Sequence, residues 1–251
     1  MSPSNPHFWR DKKVVVTGHT GFKGTWLSLW LSQLGARVLG LSLAPTTDPS
    51  LFEACQLSRF VDSRIQDIRD APSLAEHLSE FDPEIIFHLA AQPLVLRSYE
   101  RPAETFTTNT VGTLNVLESA RFLSSLRVLA LITTDKVYEN TGSLRPYKES
   151  DTIGGIDPYS ASKSAAELII SSYSRSYLHE KDIAVAALRA GNVIGGGDWE
   201  PSRLLPGAIL SWQQGQPLVL RRPTAIRPWQ HVLEPCSAYL TIAATLWGDA
   251  S

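Results

Sequence analysis

The sequence predicts an α/β fold, a doubly wound parallel sheet with helices on both faces. Three observations carry this expectation. Short apolar runs of β character alternate with stretches of helical periodicity along much of the 251 residues, and that order builds parallel sheets from βαβ units. A glycine turn, Gly18-x-x-Gly21-x-x-Gly24, joins the first apolar run to the first helical stretch. Small, polar and titratable residues then fall just after the apolar runs, where an open parallel sheet gathers its ligands.

Each element has its own signal. Residues 14–17 form an apolar run read as the first strand, and 22–34 carry a helical pattern. Strands follow at 37–42, 85–88, 128–133 and 183–188, with a weaker one at 59–64. Further helices are expected at 73–81, 102–123 and 158–178. After Gly191 the pattern changes. Gly195-Gly196-Gly197-Asp198-Trp199 is loop chemistry, 204–214 reads as a helix, 218–220 as a short strand, and 231–247 as a helix with Pro235 in its first turn. The sequence therefore divides into a nucleotide-binding domain at 1–191 and a smaller substrate lobe at 192–251.

The composition, 43% hydrophobic and 19% charged, is that of a globular protein with an ample core. A net charge of −2 advertises neither nucleic acid nor an anionic membrane. No apolar run is long enough to span a bilayer, and residues 1–13 lack the apolar centre of a signal peptide. A soluble, cytoplasmic protein is expected. Cys55 and Cys236 offer neither a disulfide framework nor metal spacing and are read as core thiols. The six histidines show no metal spacing either, and His88, at a strand end, is read as a satisfied interior histidine.

The glycine turn is the first functional signal. Gly18 permits a tight turn out of the strand, Gly21 lets a pyrophosphate approach the backbone, and Gly24 lets the helix pack closely on the sheet. The backbone at Thr20, Phe22 and Lys23 then lies at a helix N-terminus, whose free N–H groups and dipole suit phosphate. The second signal is Tyr159-Ser-Ala-Ser-Lys163. Residues four apart share one helical face, so phenol and ammonium address one pocket. A cation near a phenol lowers its pKa, and such a phenolate can take a proton from an alcohol. Thr134 ends an apolar strand and can place a hydroxyl beside it.

Together these residues resemble the extended short-chain dehydrogenase/reductase family of nucleotide-sugar enzymes, which implies a Rossmann-type fold. TGHTGFKG (17–24), HLAAQ (88–92), TNTVGTLNVLES (108–119), YSASK (159–163) and RAGNVIGGGDW (189–199) carry the resemblance. Within that family, HLAAQPLV, TTDKVYEN, GGIDPYSASK and RPWQHVLEP are most similar to the CDP-glucose 4,6-dehydratases. Members of the family continue well beyond residue 251, so the C-terminal lobe is expected to be incomplete.

The resemblance implies NAD as cofactor. The residues alone leave NAD and NADP open, because 42–47 (SLAPTT) lacks the acidic residue that many NAD-selective relatives use for the ribose. By the same resemblance Asp67 and Ile68 contact adenine, although an ordinary turn is the alternative. Leu89, Ala90 and Ala91 pass beneath the nicotinamide riboside or serve tight sheet packing. Asn109 orders the Tyr159–Lys163 relay or simply bonds to backbone. Gln92, Asn192, Arg203 and Arg227 are the expected substrate contacts, the arginines for a diphosphate, which their planar fork suits.

The implied reaction converts CDP-glucose to its 4-keto-6-deoxy derivative through an internal redox cycle and loss of water. Thr134, Tyr159 and Lys163 would serve the redox half. Asp135 is the expected acid for the departing C6 hydroxyl, which asks for a buried carboxyl. Lys136 is expected to move the C5 proton or to stabilise the enolate. A 4-epimerase of the same family and a cofactor-binding protein without catalysis are the alternatives. The long helices at 102–123 and 158–178 correspond to those that pair family members into homodimers.

Overall fold

The computed structural model describes residues 6–142, 145–200, 202–220 and 222–249. In chain order the elements are α1 (Pro6–Trp9), β1 (Lys13–Thr17), α2 (Phe22–Gln33), β2 (Arg37–Ser42), α3 (Leu51–Ala54), β3 (Asp62–Ile65), α4 (Ala71–Phe81) and β4 (Ile85–His88). There follow α5 (Val95–Glu100), α6 (Pro102–Phe106), α7 (Gly112–Ala120), β5 (Val128–Thr134), α8 (Pro158–Tyr173) and β6 (Ala184–Ala190). The chain continues with β7 (Asn192–Ile194), α9 (Leu204–Gln213), β8 (Trp229–His231) and α10 (Leu233–Asp249). A wide π-helical turn, Thr107–Val111, joins α6 to α7, and another, Ser174–Leu178, extends α8.

Six parallel strands pair in the order β3-β2-β1-β4-β5-β6. This is the Rossmann arrangement, with the order reversing between β1 and β4. Strand periodicity explains the apolar runs. Val14 and Val16 face one core with Ile85, Phe87, Val128 and Ala130, whereas Val15 faces the other with Leu39, Leu41, Ile86 and Leu129. Both faces are covered, so a buried strand needs no polar alternation.

Helices α4, α7 and α8 cover one face through Leu74, Leu78, Val116, Leu117 and Ile170. The other face is covered by α2 and α10, through Leu27, Leu31, Cys236, Leu240 and Ala243. Helix α10, in the C-terminal part of the chain, thus packs its apolar stripe on the sheet. The short strand expected at 218–220 is neither strand nor helix, and β7 and β8 form the small sheet of this region instead. His231 lies in β8, so the last helix begins two residues later than its pattern suggests. Cys236 is a core thiol, whereas Cys55 is only partly buried.

Candidate active site

The carboxyl edge of the sheet is built around the turn from β1 to α2. Gly18 has φ +77, and a Cβ there would lie 2.7 Å from the Ala90 nitrogen. A Cβ on Gly24 would come within 2.0 Å of the Gly18 carbonyl oxygen. Gly21 is different: it is exposed, its φ is −77, and its nearest neighbour to a Cβ would be the Gly18 oxygen at 3.4 Å. Two glycines thus serve packing, and the middle one leaves the outer side of the turn open. Phe22 and Lys23 begin α2, so their N–H groups have no carbonyl one turn back within the helix.

The end of β2 is held by hydroxyls. Thr20 Oγ1 donates to the Leu43 carbonyl at 2.8 Å and therefore accepts from Ser42 Oγ at 2.8 Å. Residues 42–50 contain no lysine or arginine that could receive a 2′-phosphate. His19 is fully buried, and its ring fills the space above Gly40 and bonds Ser63 at 2.7 Å. Burial pushes its pKa down to about 4.

A polar chain links the first turn to the tyrosine helix. Thr113 Oγ1 donates to the Asn109 carbonyl at 2.7 Å, so it accepts from His88 Nε2 at 3.0 Å. His88 Nδ1 is then the acceptor for Thr17 Oγ1 at 2.8 Å, and Thr17 in turn accepts from the Ala90 N–H at 3.1 Å. Burial, then the Lys163 charge, holds the His88 pKa down to about 3. Asn109 is fully buried in the π-helical turn. It accepts from the Gln92 N–H at 2.8 Å and donates to the Gln92 carbonyl and to Ser162 Oγ, which donates to the Tyr159 carbonyl. The Gln92 amide is consumed internally by Leu94 and Thr105.

Helix α8 starts where it does because Asp157 caps it. Its carboxylate accepts from the Ser160 N–H at 3.0 Å, and Pro158 stands at the first helical position. Tyr159 and Lys163 therefore occupy the first turns of one face, and both are buried, at 8% and 4% exposure. Lys163 Nζ donates to the Ile132 carbonyl at 3.1 Å. Burial and the neighbouring Lys23 pull its pKa down to about 8. Burial dominates Tyr159 in the opposite direction and pushes its pKa up to about 12, against the pull of Thr134. In this state desolvation of the phenolate outweighs the groups that favour it, Thr134 and the Arg203 charge.

Thr134, Asp135 and Lys136 turn off β5 beside Tyr159. Thr134 Oγ1 donates to Asp135 Oδ1 at 3.1 Å and accepts from the Lys136 N–H at 3.3 Å. The two charged side chains approach to 3.6 Å. Asp135 is one-third exposed, less buried than an acid role asks for, because it opens a 3-10 turn at the sheet edge. Its Oδ2 lies 3.5 Å from the Cβ position on Gly191.

Lys23 comes from α2 into the same space. Its ammonium donates to Tyr239 Oη at 3.2 Å, and burial pulls its pKa down to about 8. Tyr239, on α10, is a site neighbour that the sequence did not suggest, since it lies within an ordinary helical pattern. Burial pushes its pKa well up. Arg203 pairs with the buried Asp198 at 2.9 Å and lies close enough to Lys23 and Tyr159 to act on both electrostatically. Asn192 Oδ1 is buried without a hydrogen-bond partner, as an acceptor awaiting a ligand donor would be. Asp67 pairs with Arg69 at 2.6 Å, and buried Ile68 packs against Gly112. Arg227 is exposed, and its guanidinium donates to the Ile226 carbonyl. Leu89, Ala90 and Ala91 are partly buried, with Ala90 set against Gly18.

A nucleotide-binding turn, a buried Tyr–Lys pair and a strand-end threonine define a class, and comparison with known proteins agrees. Residues 14–248 match the NAD dependent epimerase/dehydratase family, and the chain belongs to it. It is 47% identical over 250 residues to a CDP-glucose 4,6-dehydratase of Salmonella typhimurium, covering 98% of this chain and 70% of that one. It is 31% identical over 241 residues to a dTDP-glucose 4,6-dehydratase of Xanthomonas campestris pv. campestris, covering 92% and 67%. A solved dTDP-glucose 4,6-dehydratase double mutant from Streptomyces venezuelae, with NAD bound, superposes with a TM-score of 0.79 at 25% identity, covering 92% and 72%.

Proposed function

We propose that this chain is an NAD-dependent nucleotide-sugar 4,6-dehydratase that takes CDP-glucose to CDP-4-keto-6-deoxyglucose. The observation that carries this reading is the Asp135–Lys136 pair, 3.6 Å apart beside Thr134 and Tyr159. A 4-epimerase needs only Thr134, Tyr159 and Lys163 and leaves that pair without a task. The similarity to the Salmonella CDP-glucose enzyme supports the choice of nucleotide.

The site suits the dinucleotide on this structure's own evidence. The turn is open at Gly21, the end of β2 offers hydroxyls and no cation, and Asn192 keeps an unpaired buried oxygen. Phe22 and Lys23 would offer backbone N–H groups to the diphosphate. Gly18, Thr20 and Gly24 shape the turn, Asp67 and Ile68 would flank the adenine, and Leu89, Ala90 and Ala91 the nicotinamide riboside. When bound, NAD⁺ would supply the acceptor and later the donor of a hydride and would bring a positive ring into the site.

The protein's own groups move the protons. Tyr159 takes the proton of the C4 hydroxyl, helped by the cations of Lys163 and Lys23. Thr134 steers that oxygen by turning its single hydroxyl proton from Asp135 toward it. With C4 a ketone, the C5 proton is acidic, because the carbanion delocalises into the carbonyl. Lys136 removes that proton, and Asp135 is the carboxyl placed to protonate the C6 hydroxyl as it leaves as water, a role that requires the bound sugar nucleotide to cover the strand end that is open here. Lys136 then returns a proton to C5. Asn109 fixes the start of α8 and so the position of Tyr159. Arg203 and Arg227 would meet the sugar-nucleotide diphosphate, and Asn192 and Gln92 would border the hexose.

We also infer a homodimer. The helices α6 to α8 expose Phe106, Val111, Leu168 and Tyr177, an apolar surface of the sort an isologous interface covers. The functional test is direct. Incubation with CDP-, dTDP- and UDP-glucose, followed by alkali, should give the near-ultraviolet absorbance of a 4-keto sugar with CDP-glucose foremost. Absence of that absorbance with all three would overturn the proposal.

A further inference from the structure

Lys163 sits in an unusual electrostatic position. It is buried, its one described hydrogen bond runs to a neutral carbonyl, and a second buried amine, Lys23, faces it from α2. From β4 it meets His88, which is neutral. Its own helix presents Tyr159 one turn before it and Glu167 one turn after it. Of these groups only Glu167 carries negative charge. Asp135, the other nearby carboxylate, is committed to Lys136 and lies at the strand end.

Glu167 is itself buried, at 6% exposure, and held from two strands. Thr133 Oγ1 on β5 donates to its Oε1 at 2.7 Å. The Arg189 guanidinium on β6 grips both carboxylate oxygens, with Nε at 2.9 and 3.1 Å and Nη2 on Oε2. Arg189 is in turn fixed by the Tyr138 ring, 4.5 Å from its central carbon. A buried carboxylate so clamped cannot swing away. Its charge also acts on Lys163 in the direction that favours the ammonium.

We infer that Glu167 is a positioning residue that supplies the counter-charge for Lys163, with Arg189 and Thr133 locking its carboxylate one helical turn away. The role rests on the proposed function, in which a charged Lys163 assists Tyr159. Loss of the carboxylate leaves Lys163 facing Lys23 and an unpaired Arg189, so the lysine sheds its proton at lower pH. The alkaline limb of the dehydratase rate should move down with it.

The test reads Lys163 itself, without substrate or cofactor. The ¹³Cε resonance of Lys163, identified by its loss in K163R, is followed through pH in the cofactor-free protein. In E167Q the midpoint should fall by about one unit. In E167Q/R189M the Arg189 charge that E167Q leaves unpaired is gone too, and the midpoint should rise again part of the way toward wild type. A purely structural Glu167 predicts otherwise: no shift in the folded single variant, or a double variant displaced as far as the single. Either result overturns the inference. A second measurement needs no variant. The Glu167 ¹³Cδ resonance of the wild-type protein should inflect at the Lys163 midpoint, and an unresponsive resonance overturns the inference too. Because no sugar nucleotide is present, failure here is distinguishable from failure of the proposed reaction.

Discussion

Alanine at Gly21 and at Gly24 should damage the protein in opposite ways. At Gly24 the new Cβ would stand 2.0 Å from the Gly18 oxygen and 2.7 Å from its carbonyl carbon. Both are backbone atoms of a turn already fixed by φ +77, so no side chain can give way. Overpacking of this kind costs about 1–3 kcal/mol. In a chain of this size each kcal/mol lowers the melting temperature by roughly 2–4 °C. At Gly21 the backbone is extended, with φ −77 and ψ 162, which alanine adopts freely, and the nearest atom is 3.4 Å away. G21A should therefore keep its stability within about 0.5 kcal/mol. Its methyl instead occupies the space the cofactor diphosphate needs. The same ~1–3 kcal/mol of crowding then appears as an NAD affinity about 5- to 150-fold weaker. Urea unfolding and calorimetric titration with NAD of the cofactor-stripped variants separate the two. If G21A binds NAD like the wild type while folded, the turn does not receive the diphosphate where we place it. If both variants lose stability alike, the division of labour among the glycines is wrong.

Other consequences can be checked as readily. Y159F should abolish both cofactor reduction and 4-keto sugar formation, because the first proton has no acceptor; product from Y159F at the wild-type rate would remove the tyrosine from the mechanism. K136M should cut turnover by about 10²–10⁴-fold, yet still show reduced-nicotinamide absorbance in a single turnover; loss of that absorbance as well would make the lysine a binding residue. Acid should destabilise the fold through its buried histidines. His19 and His88 are held down to about 4 and about 3, below the ordinary 6.5. The unfolded chain therefore binds more protons between those values, and stability present above pH 6.5 is lost as the pH falls toward 4 and 3. The urea midpoint should drop between pH 7 and pH 5, and a pH-independent midpoint would mean the histidines are accessible when folded. Sedimentation at micromolar concentration should give a dimer, and a strict monomer would leave the apolar face of α6 to α8 to some other use.

Much of this site was legible because sheet topology converts sequence position into spatial position. Residues after β1, β4, β5 and β6 meet at one edge whatever the loops do, so Gly18, Ala90, Thr134 and Asn192 could be gathered from the strand pattern alone. The Tyr159–Lys163 spacing needed only helix geometry. What remained hidden depends on side-chain direction and burial. Nothing in the local pattern says that Tyr239 reaches Lys23, since Tyr239 is one apolar position among many on α10. The clamp on Glu167 joins three elements distant in sequence, and only the β5–β6 register brings Thr133 opposite Arg189. The depth at which Tyr159 is buried was hidden for a related reason, because spacing reveals the neighbouring cation but not the burial. That α10 packs on the sheet was hidden too, because its amphipathic stripe does not name the surface that it covers.

An intramolecular redox cycle joined to loss of water leaves an isotopic signature in the product. CDP-glucose carrying deuterium at C4 should be converted in ordinary water to a product lighter by one water. That product should hold the deuterium at C6 and a solvent proton at C5. Mass spectrometry and proton NMR of the product read both positions. Deuterium returned to C4 with an inverted configuration and no loss of water would make this chain an epimerase. Deuterium lost from the sugar altogether would break the cycle, and either result contradicts the account.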